Sequence, residues 1–374
     1  MPPPPPVLME EILEEVFFRL PPDEPAWLVR ASAVCKPWRC ILADSGFRRR
    51  YREFHPTPPV LGLFEKLSPC IVPLPALFPA QPNHHDWAPM DCRHGRALFR
   101  QFGETDDLIV LDPVTGHQRR LPWPQPHDDL TKCSAAVLCA AQGCDHHSCC
   151  QDGHFFVAFV TTEEEEVPLG WLYSSETRVW SNLTSVHHPN ARFINGFGES
   201  SVLLGDALYF NGGRIIECQL GTLRLSMFKK PIDHCDGILM TTEDGGLGFA
   251  AVVDAANLTL WSREAGPEGA MGWTTLRVID LKMLLPDADL SIRSFTTTEY
   301  VPTVGGAVYE FPCPLLSGFV EGTQVIFVTT SVGSYMVDLK AGRARKVSGP
   351  GRQFFAFMSF YIPAMEAAST SQGQ

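Results

Sequence analysis

The residues best suited to chemistry crowd one stretch of the chain: Cys133, Cys139, Cys144, Asp145, His146, His147, Cys149 and Cys150. Thiolate and imidazole are the usual ligands of tetrahedral zinc, and Cys144, His146 and Cys149 stand close enough in sequence to share one ion. Their spacing, however, is not the paired Cys-x-x-Cys of a zinc knuckle or ribbon. Cys133 to Cys139 reads as an apolar strand whose thiols enter a core. A loop between strands is therefore the preferred reading, and no metal or cofactor is expected. Asp145, His146 and Ser148 spell a hydrolase triad, but near-adjacent residues on one loop rarely face each other in that geometry, and no Gly-x-Ser-x-Gly elbow is present. Ser174 to Trp180 likewise lacks the Asp and Gly of a sialidase turn. Catalysis is not expected.

The elements that carry these residues belong to an acidic chain. Its 374 residues hold 30 Lys+Arg against 42 Asp+Glu, a net charge of -12, with 45% hydrophobic residues. That balance argues against phosphate neutralisation as a source of affinity, so nucleic acid is not an expected partner. The longest apolar run, Ala135 to Ala141, is strand-sized, far short of the roughly 18 residues that span a bilayer. Pro2 to Pro6 follow Met1 without a basic or apolar signal region, so the chain is expected to stay in a reducing compartment, cytoplasmic or nuclear. There the 12 cysteines stay mostly thiols and the sequons at Asn182 and Asn257 stay unmodified.

Composition divides the chain near residue 55. Residues 1–6 form an extended proline tail. From residue 7 to 55 the apolar positions recur with helical spacing: Leu8, Ile12, Leu13, Val16, Phe17 and Leu20, then Trp27, Leu28, Ala31, Val34, Cys35 and Trp38, with Phe47 and Tyr51 closing the unit. Three short helices are expected. So small a module buries too little surface to be comfortable alone, and should dock on something. The run Arg48-Arg49-Arg50 with Arg52 reads as the polar side of its last helix rather than a localisation signal.

Residues 56–363 change texture to short runs rich in Val, Ile, Phe and Leu, broken by Gly, Pro, Asp and Asn, the pattern of an all-β architecture. A tight turn followed by an apolar or Trp-bearing return recurs: Asp112 to Gly116 before Leu121 and Trp123, Ser174 to Thr177 before Trp180, Gln219 to Thr222 before Leu225, and Asp338 to Gly342 before Val347. A second element, Leu204 to Tyr209 and again Val304 to Tyr309, marks inner strands. At about 40–50 residues per four-stranded blade, a β-propeller of six or seven blades fits. The returning Trp or Leu should fill the space between blades. Glu163 to Glu166, His84, His85, His187 and His188 read as solvated loop residues, and residues 364–374 as a disordered tail.

The segment from Leu8 to Phe47 resembles an F-box. Glu10-Glu11-Ile12-Leu13 and Val16-Phe17-Phe18-Arg19-Leu20-Pro21 match the first half of that pattern, and Val34-Cys35-Lys36-Pro37-Trp38-Arg39 with Asp44 and Phe47 the second. One departure is Met9, where the family usually has proline; methionine is apolar and adaptable enough to fill the same groove. The remainder resembles the F-box-associated, kelch-like propellers of plant, particularly grass, F-box proteins, at Leu111 to Gly116, Gly143 to Cys149, Leu172 to Thr177 and Phe357 to Pro363. The resemblance implies a non-catalytic substrate-recognition adaptor of a Skp-cullin-F-box E3 ubiquitin ligase in the ubiquitin conjugation pathway. Its partners would be a Skp-type adaptor, through it a cullin-RING ligase, and an unknown target protein. By motif position the adaptor-binding candidates are Leu8, Met9, Ile12, Leu13, Val16, Leu20, Leu28, Val34, Cys35 and Trp38, about half of which should form the module's own core. The competing reading is a propeller that binds a glycan or small ligand, with an F-box that has drifted and assembles no ligase.

Overall fold

In the computed structural model, residues 9–360 are described apart from 56, 67–70, 74–85, 103–106, 125–132, 141–152, 163–167, 186–200, 233–235, 255, 267–268, 287, 289, 291–294, 298–308, 312–313 and 351–352. The proline tail, Leu8, most of the Cys/His cluster, the Glu163–Glu166 run, the four loop histidines and the C-terminal tail lie outside these residues.

The N-terminal module has four helices rather than three: α1 (Glu10–Phe18), α2 (Ala26–Val34), α3 (Lys36–Ala43) and α4 (Ser45–Phe54). The second apolar stripe divides because Cys35 is fully extended (φ -160°, ψ 165°) and Pro37 opens α3, where a missing N–H costs nothing. Asp44 caps α4, its Oδ2 accepting from Phe47 N at 2.7 Å. Helix α4 then carries the arginine run, and Arg50 pairs with Glu14 of α1 at 2.7 Å.

The rest is mainly β, a propeller of five four-stranded blades instead of the expected six or seven. Blade one is β3 (Trp87–Arg93), β4 (Arg96–Gln101), β5 (Asp107–Leu111) and β6 (Gln118–Pro122), following β1 (Val60–Glu65) and β2 (Ile71–Pro73). Blade two is β7 (Cys133–Cys139), β8 (Phe155–Thr162), β9 (Pro168–Ser174) and β10 (Val179–Ser185). Blade three is β11 (Ser201–Leu204), β12 (Ala207–Phe210), β13 (Ile215–Gln219) and β14 (Arg224–Phe228). Blade four is β15 (Gly237–Thr241), β16 (Leu247–Val253), β17 (Asn257–Ala265) and β18 (Met271–Asp280), followed by α5 (Leu281–Leu284) and the hairpin β19 (Phe295–Thr297) with β20 (Tyr309–Phe311). Blade five is β21 (Leu315–Val320), β22 (Val325–Thr330), β23 (Gly333–Asp338) and β24 (Arg343–Ser348). The blade count falls because the repeat is uneven. Successive blades begin at Trp87, Cys133, Ser201, Gly237 and Leu315, and the intervals before Ser201 and Leu315 absorb the residues that an even period assigns to further blades.

Closure comes from a three-stranded sheet in which β1 pairs with β2 and with β25 (Phe354–Met358), so strands from both ends of the propeller share one sheet. First strands approach their neighbours around the axis: β3 with β7, β11 with β15, β15 with β21, and β25 with both β21 and β3. Burial follows the radius. β7 is buried almost throughout, whereas the fourth strands β6, β14, β18 and β24 are largely exposed.

The recurring turn signature joins the third and fourth strands of blades one, two, three and five. In each the residue four positions after the turn's start has positive φ: Gly116 (72°), Arg178 (60°), Leu223 (53°) and Gly342 (62°). Asp112 and Asp338 use Oδ1 to accept backbone N–H groups inside their turns, and Gly116 N and Gly342 N close them onto the carbonyls of Asp112 and Asp338. The returning tryptophan does fill the space between blades. Trp180 donates its Nε1–H to Pro122 O of blade one at 2.9 Å, and Trp123 meets Phe159 of blade two edge to face at 5.0 Å.

Blades two and three are further joined by parallel pairing of their outer strands, β10 with β14, at Thr184 to Arg224 and Ser185 to Leu225. Gly170 permits this approach. A Cβ there would stand 2.8 Å from Leu183 Cδ1 and 3.0 Å from Leu225 Cδ1.

Candidate functional site

Helical periodicity divides the module's apolar residues into an inward and an outward set. The inward set, Leu13, Phe17, Leu28, Ala31, Ile41, Leu42, Phe47 and Tyr51, forms one cluster. Its rings interlock: Phe17 stands edge-on to Trp38 at 5.2 Å and Phe18 stacks on Phe47 at 4.9 Å. Tyr51 donates its hydroxyl to Leu20 O at 2.7 Å, and burial, followed by the charge of Asp23, holds its pKa well above the ordinary phenol value. The same cluster contains Phe360, just beyond β25, which meets the Tyr51 ring edge-on at 6.2 Å. The helical module is thus seated on the closing sheet of the propeller.

The outward set is where a partner could bind. Met9, Ile12 and Val16, at spacings of three and four, share one face of α1 and are 62%, 46% and 51% exposed. Val34 is 61% exposed at the end of α2, and Cys35 beside it is also exposed. Of the residues selected by sequence, these five are free of the module's interior. Leu13 and Leu28 are core, Leu20 and Trp38 are half-buried against it, and Leu8 lies outside the described residues. Trp27 was missed. It is 45% exposed, with its Nε1–H donating to Glu24 Oε2 at 2.7 Å and the Arg30 guanidinium over its ring at 5.3 Å. Its place in the second apolar stripe was legible, but period alone did not separate its exposed position from the buried position of Leu28.

Met9 replaces proline without a backbone penalty. It precedes α1 with φ -64° and ψ 146°, an extended conformation that proline also adopts, and its carbonyl accepts from Ile12 N and Leu13 N.

Of the chemical cluster singled out in the sequence, Cys133 and Cys139 lie among the described residues. Cys133 is buried on β7, in line with the expected apolar strand, and Cys139 is half-buried at its end, with its N–H donated to the His94 ring. Cys144, His146 and Cys149, with Asp145, His147, Ser148 and Cys150, lie outside the described residues. Among the described residues, no three His, Cys, Asp or Glu side chains are grouped to hold a metal ion. Elsewhere, burial raises the Cys218 thiol to about 12, a core thiol rather than a nucleophile.

A second concentration of charge lies on β3. Asp91 accepts from Val137 N of β7 at 2.9 Å. Arg93 donates to Ser201 Oγ and O of blade three at 3.1 and 2.7 Å, and to Glu321 Oε2, just after β21, at 2.6 Å. Burial raises the Asp91 carboxyl to about 6 against the opposing pull of Arg93. These bonds tie blade one to blades two, three and five. Every polar group named is occupied within the protein, which makes the cluster a strut.

Comparison with known proteins bears on the helical end. Residues 8–50 match the protein-family model for the F-box domain, and the helices at residues 10–54 are those that carry the match. No curated protein matches the chain. Among solved structures the chain is similar to an auxiliary nutrient binding protein from Bacteroides thetaiotaomicron VPI-5482, at 10% identity and a TM-score of 0.34 over 71% of this chain and 60% of that one. It is also similar to the SapL1 lectin solved with alpha methyl fucoside, at 10% identity and a TM-score of 0.38 over 75% of this chain and 82% of that one. The chain thus spans 60% of the length of the first and more of the second. Among the described residues, no helix is long and apolar enough to cross a membrane.

Proposed function

We propose that this protein is a substrate-recognition subunit of a Skp-cullin-F-box ubiquitin ligase, acting in the cytoplasm or nucleus. The observation that carries the reading is an F-box whose own core is complete while Met9, Ile12, Val16, Val34 and Cys35 remain exposed. Apolar side chains left outside a filled core are a docking surface. F-box domains generally bind Skp-type adaptors, and these five, with Leu8 and Trp27, are the residues we assign to that contact. Leu13, Leu28, Leu20 and Trp38 act by building the helices that present them. The propeller would then hold a target protein near the ligase, supplying proximity and orientation without a catalytic group of its own. Kinship with the kelch-like propellers of grass F-box proteins belongs to this proposal and rests on the short segments quoted above.

The reading is tested by replacing Ile12 and Val16 together with Asp and measuring adaptor binding by calorimetry. Each buried Val or Ile contributes about 1.5–3 kcal/mol, so the double variant should bind at least about 100-fold more weakly with an unchanged melting temperature. Undiminished binding, or no binding by the unaltered protein, would refute it. The alternative, a propeller that binds a glycan or small ligand with a drifted F-box, draws on Met9, which adopts an extended backbone that proline also adopts.

A further inference from the structure

The outer strand of blade five, β24, is strongly basic on an acidic chain. From Lys340 to Pro350 the sequence holds Lys340, Arg343, Arg345 and Lys346 and no acidic residue, against a net charge of -12 for the whole. Ser348 ends the strand, with arginine five and three positions before it and lysine two before it. No other serine or threonine of the chain has basic residues at all three places.

Register puts the hydroxyl and both arginines on one side. Ser334, Met336 and Asp338 alternate along β23 and so project to one face of the sheet, and their partners across the ladder are Ser348, Arg345 and Arg343. Residues three positions apart on a regular strand point to opposite faces. Here the irregularity between Ser334 and Tyr335 gives β24 one extra residue, Val347, which returns Ser348 to the face of the arginines. In keeping with this register, Arg345 Nη2 reaches the Sδ of its partner Met336 at 3.9 Å.

The strand is also placed to be gripped from outside. It ends the order β21-β22-β23-β24 and is already extended, about 17 Å from Arg343 to Ser348. Arg343, Arg345, Lys346, Gly349 and Pro350 are exposed. Lys346 donates to Val332 O at 2.7 Å, so recognition falls mainly to the two arginines. Ser348 is half-buried at the end of its strand, where local opening costs least. Its hydroxyl makes no hydrogen bond among the described residues.

We propose that Ser348 is a phosphorylation site for a basophilic serine kinase, one whose acidic substrate groove takes Arg343 and Arg345. Complementary charge steers such an enzyme to this blade. Ser348 Oγ attacks the γ-phosphorus of ATP. An Oγ–P bond forms as the bond to the β-γ bridging oxygen breaks, ADP leaves, and the hydroxyl proton passes to the catalytic carboxylate of the kinase. The phosphate then stands on the face that carries Arg343 and Arg345, either of which can donate to it. The site does not depend on the ligase reading, since it is assayed on this chain with no adaptor present.

The test incubates the folded full chain with Mg-ATP and the catalytic subunit of cyclic-AMP-dependent protein kinase, and locates phosphate by tandem mass spectrometry. A peptide spanning Lys340 to Pro350 serves as the unfolded reference. Near-stoichiometric phosphate at Ser348 is expected in the folded chain. Replacing Arg343 and Arg345 together with alanine should lower kcat/KM at Ser348 at least about tenfold with an unchanged melting temperature, since each charge-assisted contact is worth about 1.5–3 kcal/mol. Arg345→Lys should lower it less. Ser181 has Arg178 three positions before it but lies within β10 opposite Leu172, and should be labelled at least about tenfold more slowly. Absence of phosphate from Ser348 in the folded chain, whether or not the peptide is labelled, would overturn the proposal. Undiminished labelling of the folded double-alanine variant would do the same.

Discussion

Arg93 Nε donates to Glu321 Oε2 at 2.6 Å although 228 positions separate the two residues. This bond joins the first blade to the last, and the other nitrogens of the same guanidinium reach Ser201 in the third. Arg93 also stands 3.6 Å from the buried Asp91 carboxylate, and removing the guanidinium leaves that charge uncompensated, at a cost of about 3–5 kcal/mol. Arg93→Met should therefore destabilise the propeller by that amount in urea unfolding. Glu321→Gln keeps an acceptor at a half-exposed position and should cost about 1 kcal/mol. Equal effects would show that the buried Arg93 charge contributes nothing beyond its bond to Glu321.

Asp91 gives the same strut a pH dependence. Its folded pKa, about 6, lies above the ordinary 3.8, so the folded chain holds a proton that the unfolded chain releases between those values. Its stabilising contribution is complete below about pH 4 and is lost as pH rises through 6. Asp91→Asn retains an acceptor for Val137 N and abolishes the titration. The urea midpoint of the variant minus that of the parent should increase from pH 4 to 6 and then level off, and a difference that ignores pH would show that the carboxylate stays ionised throughout.

The third-to-fourth strand turns offer a stabilising substitution. Arg178 is exposed and occupies, at φ 60°, the position that Gly116 and Gly342 hold in their own turns. A left-handed backbone costs an L-residue about 1–2 kcal/mol, and glycine loses about 0.5–1 kcal/mol of that advantage to its unfolded-state entropy. Arg178→Gly should raise stability by up to about 1 kcal/mol in the same assay. A decrease would mean that the Arg178 side chain contributes more than its backbone costs.

These turns also show what sequence made visible. Asp112 to Gly116 and Asp338 to Gly342 could be recognised because backbone geometry demands particular residues at fixed offsets, and Trp180 because a large ring between blades has few substitutes. The core positions Phe17, Leu28 and Phe47 were legible through their period. The strut was not: Asp91, Arg93, Ser201 and Glu321 are ordinary polar residues with no local signature, and only closure of the ring brings them together. Blade number escaped because the intervals between units vary, so length divided by an average period overcounts.

The pairing of β1 with β25 makes time part of this architecture. A ribosome releases the N-terminal helices first, yet the sheet that anchors Val60 waits for Phe354–Met358, and the ring against Tyr51 waits for Phe360. At about 5–20 residues per second the intervening chain takes tens of seconds to synthesise. Throughout that interval the helices have no seat, and a chain stopped before the final strand presents them on an open ring. Completion of the propeller and seating of its N-terminal helices are thereby one event.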